Sequence, residues 1–186
     1  MCYANTVSNT SLEATSCIPF FISSNDNRFL NCAALFNEAT ANFCTGFSAT
    51  STRGNRFIDC ISNRNIGKGD CFGWDLTSAT DTQLIRCIAT EQLHTNTSGA
   101  RSARGIVAGS SDCFAQECIV MGNVSNLGAE SSYGISDSPS TTNRYVQCFA
   151  YQNGDTTSNQ LSNVNDATSS IPTALFWENV GKTVTT

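Results

Sequence analysis

Three charged residues, Asp59, Arg86 and Glu117, stand at one position of a recurring phrase, each directly before a cysteine. If the phrase marks stacked repeats, their side chains point outward in one row on successive repeats. Two carboxylates around an arginine can bind a sugar, or perform acid and base chemistry at separations of about 5 to 10 Å. The alternative is a surface charge ladder contributing about 0.2 to 1 kcal/mol. Because exposed ion pairs are common and catalytic ones rare, we expect the ladder and assign no catalytic residue.

A second set of candidates falls where the repeats differ in length. These binding-loop candidates are Glu91, His94, Asn96, Arg101, Asp155 and Asp166. His94 is the single histidine of the chain, and no residue beside it in the sequence would orient it as a general base. We therefore predict that His94 is a solvated loop residue, and that these six residues contact a partner.

The ten cysteines of the chain suggest a disulfide framework at first sight. Eight of them instead form two periodic columns, the first being Cys32, Cys60, Cys87, Cys118 and Cys148, and the second Cys17, Cys44 and Cys71. Ala103 and Ser132 continue the second column, which space filling tolerates and bridging does not. We predict ladders of buried free thiols stacked about 4.8 Å apart. No Cys-x-x-Cys pair is present, so we expect no metal site and no cofactor.

The elements that position these residues follow from the repeat. The first phrase reads Asn-Arg-Phe-Ile-Asp-Cys-Ile-Ser at 55–62 and recurs about every 27 to 31 residues. A large apolar residue three before the cysteine and a small one two after it do not follow a helical period, whereas short strands separated by bends fit. Five residues after the cysteine comes an amide, at Asn37, Asn65, Gln92, Asn123 and Asn153. We predict an amide ladder that satisfies the backbone at one bend of every coil.

A second phrase alternates with the first. Cys44-Thr45-Gly46-Phe47 and Cys71-Phe72-Gly73-Trp74 represent it, and the glycine predicts a strand, a sharp corner and another strand. The spacing from this phrase to the next first phrase is nearly constant, whereas the opposite spacing varies. Insertions therefore concentrate at one corner, where solenoids often place their binding surface.

In these two alternating phrases the chain resembles a right-handed parallel β-helix of the pectate-lyase-like class, from Cys2 to about Trp177. The resemblance implies an all-β solenoid of about five to six coils with cysteine and asparagine ladders. It implies no single activity, because members of this fold serve as lyases, hydrolases, adhesins, tailspikes and scaffolds. The Asn-Thr-Asp, Gly-His-Gly and Arg-Ile-Lys elements of polygalacturonase-like enzymes are missing here.

Two functions follow as expectations. The first is a non-enzymatic β-helix module with a structural, adhesion or glycan-contacting role, whose variable corner loops make the contacts. The second is a polysaccharide-active lyase or hydrolase with degenerate motifs, for which Asp59, Arg86 and Glu117 are the alternative catalytic residues. Outward positions rich in Asn, Ser, Thr and Gln favour the first, since such side chains bind sugars but do not activate a nucleophile unaided.

Composition limits the partners. The chain has 186 residues, 13% of them charged, and a formal net charge of −5, so no basic stripe is available for nucleic acid. No segment is apolar enough to insert into a membrane, and no signal peptide is recognisable. A glycan or protein partner is expected, in an extracellular or virion-associated setting if the chain is a module of a larger protein.

The repeat also predicts one domain over 1–186. Cys2-Tyr3-Ala4 already matches the middle of a coil, so we expect an upstream domain or a neighbouring subunit to cover the first coil, as in a fragment or module of a larger assembly. The alternative is a short protein whose own first residues fold over the open end. The range 151–171 is predicted to be a long loop or cap, and 172–186 a partial C-terminal coil.

Overall fold

The computed structural model describes short β-strands connected by bends and turns. The described residues are 3–5, 8–9, 16–40, 42–95, 102–109, 111–125, 132–137, 143–151, 153–155, 162–166 and 175–177. They contain 24 strands and no helix. All strand pairs among them are parallel, and they build four sheets of six strands each.

Each coil visits the four sheets in a fixed order, here called C, D, A and B. Sheet C contains the longest strands, β3 (Phe20–Ile22), β7 (Cys44–Ala49), β11 (Cys71–Leu76), β15 (Ala103–Ala108), β19 (Tyr133–Asp137) and β23 (Ser162–Asp166). Sheet D contains β4 (Arg28–Leu30), β8 (Arg56–Ile58), β12 (Gln83–Ile85), β16 (Phe114–Gln116), β20 (Arg144–Val146) and β24 (Leu175–Trp177).

The other two sheets complete the coil. Sheet A contains β1 (Tyr3–Asn5), β5 (Ala33–Leu35), β9 (Ile61–Asn63), β13 (Ile88–Thr90), β17 (Ile119–Met121) and β21 (Phe149–Tyr151). Sheet B contains β2 (Ser8–Asn9), β6 (Glu38–Ala39), β10 (Ile66–Gly67), β14 (Leu93–His94), β18 (Val124–Ser125) and β22 (Gly154–Asp155). The all-β parallel solenoid predicted from the sequence is confirmed.

The strands stack in register, so each repeat position becomes a column along the axis. Phe57 pairs with Phe29 below it and Leu84 above it, for example. Successive rungs of a column lie about 4.8 Å apart, which lets like side chains pack on their own copies. This register is why a purely sequential repeat predicts which residues touch.

Single residues in the left-handed backbone region turn the chain from one sheet to the next. At the corner from sheet D to sheet A these are Asn31, Asp59, Arg86, Glu117 and Gln147, with φ between 50° and 53°. The conformation is uncommon for residues with a Cβ, and asparagine and aspartate tolerate it best. The residue before each column cysteine is therefore a corner residue, whose side chain leaves the solenoid at every coil.

The core is a set of stacked rings and aliphatic groups. Phe47 stacks on Phe20 at 4.6 Å and on Trp74 at 5.1 Å between ring centroids, and Phe29 stacks on Phe57 at 4.8 Å. Phe47, Phe57 and Trp74 are fully buried. Burial of each such side chain contributes about 1.5 to 3 kcal/mol. Offset ring pairs add about 0.5 to 1.5 kcal/mol each.

The glycine of the second phrase differs from its prediction as a corner. Gly46, Gly73 and Gly105 lie inside the single strands β7, β11 and β15. A Cβ at Gly105 would collide with Cγ1 of Val120 and with the backbone carbonyl of Gly134. Glycine is needed here because the backbone of sheet C closely approaches the opposite wall, not because the chain changes direction.

The amide ladder predicted from the sequence is confirmed. Nδ2 of Asn65 donates to Oε1 of Gln92 at 2.6 Å, and Oδ1 of Asn65 accepts from Nδ2 of Asn37 at 2.7 Å. Nδ2 of Asn123 donates to Oδ1 of Asn153 at 2.6 Å, and the backbone N–H of Gln92 donates to Oδ1 of Asn123 at 3.1 Å. All five side chains are fully buried, so the ladder carries polar groups through the interior without leaving them unpaired.

The C-terminal ranges are only partly described. Within the predicted loop or cap, Gly154–Asp155 and Ser162–Asp166 form strands β22 and β23, which continue sheets B and C. Leu175–Trp177 forms β24, the last strand of sheet D. The remaining residues after 155 lie outside the described residues, so the cap stays a prediction.

Candidate functional site

The row of Asp59, Arg86 and Glu117 lies on the D-to-A corner, where the left-handed turn directs side chains outward. Arg86 donates from Nε to Oδ1 of Asp59 at 2.7 Å and from Nη2 to Oδ2 at 2.9 Å. The pair is bidentate and solvent-exposed. The hydrogen bond from Arg86 lowers the pKa of Asp59 below its usual range. The structure thus joins two of the three predicted residues as an ion pair.

Glu117 is bound differently. Its Oε1 accepts a hydrogen bond from Nε2 of the adjacent Gln116 at 2.9 Å. Its charge raises the pKa of Arg86, a smaller contribution than that of Asp59. A general acid needs a carboxyl pKa raised toward the working pH, and Asp59 is shifted the other way. The geometry matches the charge ladder that the sequence favoured.

The prediction that His94 is a solvated loop residue is wrong. His94 belongs to β14 and is fully buried. Its Nδ1 lies 2.8 Å from Oγ of Ser125 in the next coil, and its Nε2 lies 3.1 Å from the backbone carbonyl of Lys68. The error has a physical cause. The varying length of the repeats shows near which corner insertions occur, but β14 of sheet B precedes the insertion and orients His94 inward.

The other binding-loop candidates do not form one site among the described residues. Glu91 is exposed at the corner from sheet A to sheet B, with φ of 57°. Asp155 pairs in register with Ser125, and Asp166 with Asp137, which places these two at strand positions in sheets B and C. Asn96 and Arg101 lie outside the described residues, in the connection from sheet B to sheet C.

The cysteine ladders are confirmed as free thiols. The nine cysteines in the described part of the chain are all unbridged and buried. Sγ of Cys60 lies 3.4 Å from the carbonyl of Ile58 and 3.6 Å from that of Phe29, and Cys87 and Cys118 repeat this pattern one coil further each. Burial raises the pKa of Cys71. Such thiols act as small core residues rather than as nucleophiles.

A second polar column escaped the sequence analysis. It lies just before sheet D and contains Asn27, Asn55, Thr82, Cys113 and Asn143. Oδ1 of Asn55 accepts from the backbone N–H of Asn27 at 2.9 Å, and Oδ1 of Asn143 accepts from the backbone N–H of Cys113 at 2.8 Å. The repeated Asn-Arg at 27–28, 55–56 and 143–144 was the available signal. It also explains why Cys113 stands outside the two cysteine columns.

The C-to-D corner beside this column carries two clefts, named here the corner clefts. The first, of about 180 Å³, is lined by Asp26, Asn27, Arg28, Gly54 and Arg56. The second, of about 210 Å³, is lined by Asp112, Cys113, Phe114 and Arg144. Both clefts border one outward column of sheet D, formed by Arg28, Arg56, Gln83, Phe114 and Arg144.

The outer face of sheet A has a different character. Ile61, Ile88 and Ile119 pair in register as one outward column. Ile61 and Ile119 are 37% and 38% exposed, and Met121 and Tyr151 beside them are 42% and 49% exposed. This wall of the solenoid is suited to contact with another apolar surface.

Within the described residues, no group of three or more His, Cys, Asp or Glu side chains is placed to hold a metal ion. The same part of the chain contains no helix with the length and hydrophobicity to cross a bilayer. Comparison with protein-family models, with curated proteins and with solved structures finds no match to this chain.

Proposed function

We propose that this chain is a non-enzymatic β-helix module with a structural, adhesive or glycan-contacting role. The observation that carries the proposal is the bidentate Asp59–Arg86 pair. It engages two of the three residues of the candidate catalytic row in a surface ion pair and lowers the pKa of Asp59. That shift makes the carboxyl a poor general acid and a weak base. The alternative, a polysaccharide lyase or hydrolase, would require Asp59 to act on a substrate while it is paired with Arg86.

The interior and the surface support this role in different ways. The buried amides bond from coil to coil and the buried thiols pack between coils, so these groups hold the coils together and are not exposed to a partner. Contacts with a partner then fall to outward positions, namely corner residues, the insertions between sheets B and C, and the exposed apolar column of sheet A. An apolar wall favours protein contact, and polar corners favour sugars.

Two assays on the same protein separate the alternatives. Binding to an array of glycans together with no release of reducing ends or unsaturated products from those glycans supports the module. Depolymerisation that is abolished in Asp59→Asn and retained in Asp75→Asn, a change at another carboxylate, would establish the enzyme instead.

The solenoid is further proposed to be right-handed and of the pectate-lyase-like class. Parallel strands joined by a crossover within one sheet are right-handed in about 98% of cases. The coil length of about 27 to 31 residues supports the same class, because it is too long for left-handed hexapeptide helices. An experimentally determined structure with a left-handed path would contradict it.

A partner is also proposed for the first coil, either an upstream domain or a neighbouring subunit. Strands β3 and β4 end their sheets, and Phe20 and Phe29 on them are only half-buried. A cavity of about 250 Å³ adjoins both rings. Sedimentation of the chain at increasing concentration tests the subunit version, and concentration-independent monomers would leave the upstream domain or the chain's own first residues as the cover.

A further inference from the structure

Exposed apolar side chains concentrate on one wall of the solenoid. Eight large hydrophobic side chains are exposed in the described part of the chain, and three of them, Phe21, Leu30 and Phe43, lie elsewhere. The other five lie on sheet A or at the corner where its strands end, and they are Phe36, Ile61, Ile119, Met121 and Tyr151. A patch of this kind indicates contact with another protein surface.

Two outward columns of sheet A, together called the sheet A face, form this wall. The residues between the columns, such as Ala89 and Val120, are buried in the core, and successive side chains alternate across a strand, so the columns point outward. The first column is apolar throughout, whereas the second is polar in its middle, where Nδ2 of Asn63 donates to Oγ1 of Thr90 at 2.8 Å. In coil order the first column is Ala33, Ile61, Ile88, Ile119 and Phe149, and the second is Leu35, Asn63, Thr90, Met121 and Tyr151.

Both edges of the sheet A face carry charges on the two middle coils, and the order of the charges is reversed between the edges. At the D-to-A corner Asp59 is followed by Arg86 on the next coil. At the A-to-B corner Arg64 is followed by Glu91, and both are exposed. Neither Arg64 nor Glu91 belongs to the two ion pairs of the described residues. An edge with one negative and one positive charge is complementary to itself when it is turned end over end.

A second copy of the chain matches this pattern when a two-fold axis runs between β9 and β13, parallel to the strands. The two solenoid axes are then antiparallel, and each middle coil faces the other middle coil of the second copy. Asp59 lies opposite Arg86 of the second copy, and Arg64 lies opposite Glu91 of the second copy. Unlike charges therefore oppose each other at both edges of the contact.

The apolar and polar positions of the face match under the same axis. Ile61 lies opposite Ile88 of the second copy, and Asn63 lies opposite Thr90 of the second copy. With parallel solenoid axes unlike charges would also oppose each other, but each coil would then face its own copy, with Ile61 against Asn63 and Ile88 against Thr90. The antiparallel arrangement is favoured because it keeps the amide and the hydroxyl opposite groups that can form hydrogen bonds.

The coils beyond the middle pair are complementary in size. Phe36 is 48% exposed and lies opposite Gly122 of the second copy, which has no side chain to obstruct the ring. Ala33 lies opposite Ile119 of the second copy, again a small group against a large one. Such differences in size let the two faces pack closely.

The size of the face predicts how tightly two copies bind. Sheet A has six strands. At about 4.8 Å per rung and about 3.3 Å per residue, the face measures about 29 Å along the axis and about 17 Å between its corners. Two copies would bury about 1,000 Å² in total, which is at the lower end of specific interfaces. The expected association is reversible, with a dissociation constant in the micromolar range.

We propose that two copies of this chain associate through the sheet A face with antiparallel solenoid axes, related by a two-fold axis between β9 and β13. The proposal names the partner, a second copy, for a wall of the solenoid other than the open first coil. It goes beyond the proposed function and does not depend on whether the chain also contacts a glycan.

The first test locates the contact. Sedimentation equilibrium of the full chain from about 1 µM to about 1 mM should show a reversible monomer–dimer equilibrium. Ile61→Ser should raise the dissociation constant at least tenfold, because the substitution occurs twice in a two-fold interface. Phe43→Ser is the matched control, since Phe43 is 39% and Ile61 37% exposed, and it should change the constant less than twofold. Far-UV circular dichroism should show both variants folded.

The second test determines the orientation with two surface variants that leave the core untouched. Arg64→Glu and Glu91→Arg should each raise the dissociation constant about fivefold or more, because each places like charges opposite each other in its own dimer. An equimolar mixture of the two variants, one of them labelled with a fluorophore, should form a heterodimer about as tightly as the wild type dimerises. With parallel axes Arg64 would face Asp59 instead, and the mixture would gain nothing.

The other outcomes are decisive as well. A chain that stays monomeric up to about 1 mM overturns the inference. Equal weakening by Ile61→Ser and Phe43→Ser overturns the sheet A face as the contact, and a mixture that associates no better than either variant alone overturns the antiparallel arrangement. Glycan binding by a monomeric chain would leave the proposed function in place while this inference fails.

Discussion

At the scale of single residues, the interior of the solenoid is built from groups with a fixed role. Cys60 packs against the carbonyls of Ile58 and Phe29, and Asn65 bonds to the coils on both sides. Neither side chain reaches solvent. Both side chains therefore contribute to the stability of the fold rather than to a reaction.

The buried thiols should not react in the native state. Their sulfur atoms are buried in the folded chain, so a reagent reaches them only after unfolding. Titration with an aromatic disulfide reagent should find the ladder cysteines silent in buffer and reactive in denaturant. Cys32–Cys60 or Cys60–Cys87 bridges in a non-reducing peptide map would contradict the prediction.

Asn65→Asp should destabilise the protein in a pH-dependent way. Nδ2 of Asn65 donates to Oγ of Ser62, the carbonyl of Phe72 and Oε1 of Gln92, so a carboxylate there would face acceptors. Burial and these acceptors should raise the folded pKa of the new carboxyl above its unfolded value of about 4. The penalty should be smallest below about pH 4, grow as pH rises toward the folded pKa, and reach about 3 kcal/mol or more at neutral pH.

Urea unfolding across pH measures this penalty against the wild type. Asn31→Asp is the matched control, because Asn31 is exposed at a corner position where the next coil has Asp59. An Asn65→Asp penalty that shrinks as pH rises would contradict the buried ladder.

At the scale of elements, corners and close approaches decide the path of the chain. Left-handed residues turn each coil, whereas the glycines of sheet C allow its strands to pass close to sheet A. Glycine, which in the sequence indicated a corner, is needed here because a Cβ would not fit in the space between the two sheets.

Gly105→Ala should destabilise the fold by about 1 to 3 kcal/mol through overpacking. The added methyl meets Cγ1 of Val120 and the carbonyl of Gly134. Combining it with Val120→Ala should recover part of the loss, because the side-chain collision is removed while the backbone contact remains. Chemical denaturation of the four proteins of this cycle gives the coupling energy. Strict additivity would show that Val120 is not the neighbour that matters.

At the scale of the whole molecule, the solenoid is a one-dimensional stack in which each coil contacts only its neighbours. The free energy of unfolding of such a chain is a sum of coil and interface contributions. Interior coils have two neighbours and terminal coils have one, so interior coils contribute more to stability. The ring columns make this measurable, since Phe57 is fully buried and Phe29, one rung before it, is half-buried.

Phe57→Ala should therefore cost about 3 to 5 kcal/mol, and Phe29→Ala half of that or less. Thermal unfolding followed by far-UV circular dichroism compares the two, and hydrogen exchange should show the strongest protection in the central coils. Equal losses for both substitutions would indicate that Phe29 is covered as completely as Phe57.

Much of this architecture was determined by the sequence alone. Because the coils stack in register, residues of one type that recur with the repeat lie in one column, and the cysteine and amide ladders were predictable from the sequence alone. The placement of Asp59 and Arg86 in one row on successive coils followed from the same period. Periodicity carries this information because, in a parallel solenoid, residues one repeat apart in the sequence lie next to each other on adjacent coils.

Only the tertiary structure decided what each column faces. It buried His94 against Ser125, made Asp59 and Arg86 a bidentate pair and opposed Arg28 to Arg56 beside a cleft. The physical reason is that a period places residues along the axis but does not set their direction around it. That direction depends on the left-handed corner residues and on the wall that each strand packs against, and both are properties of the assembled coil.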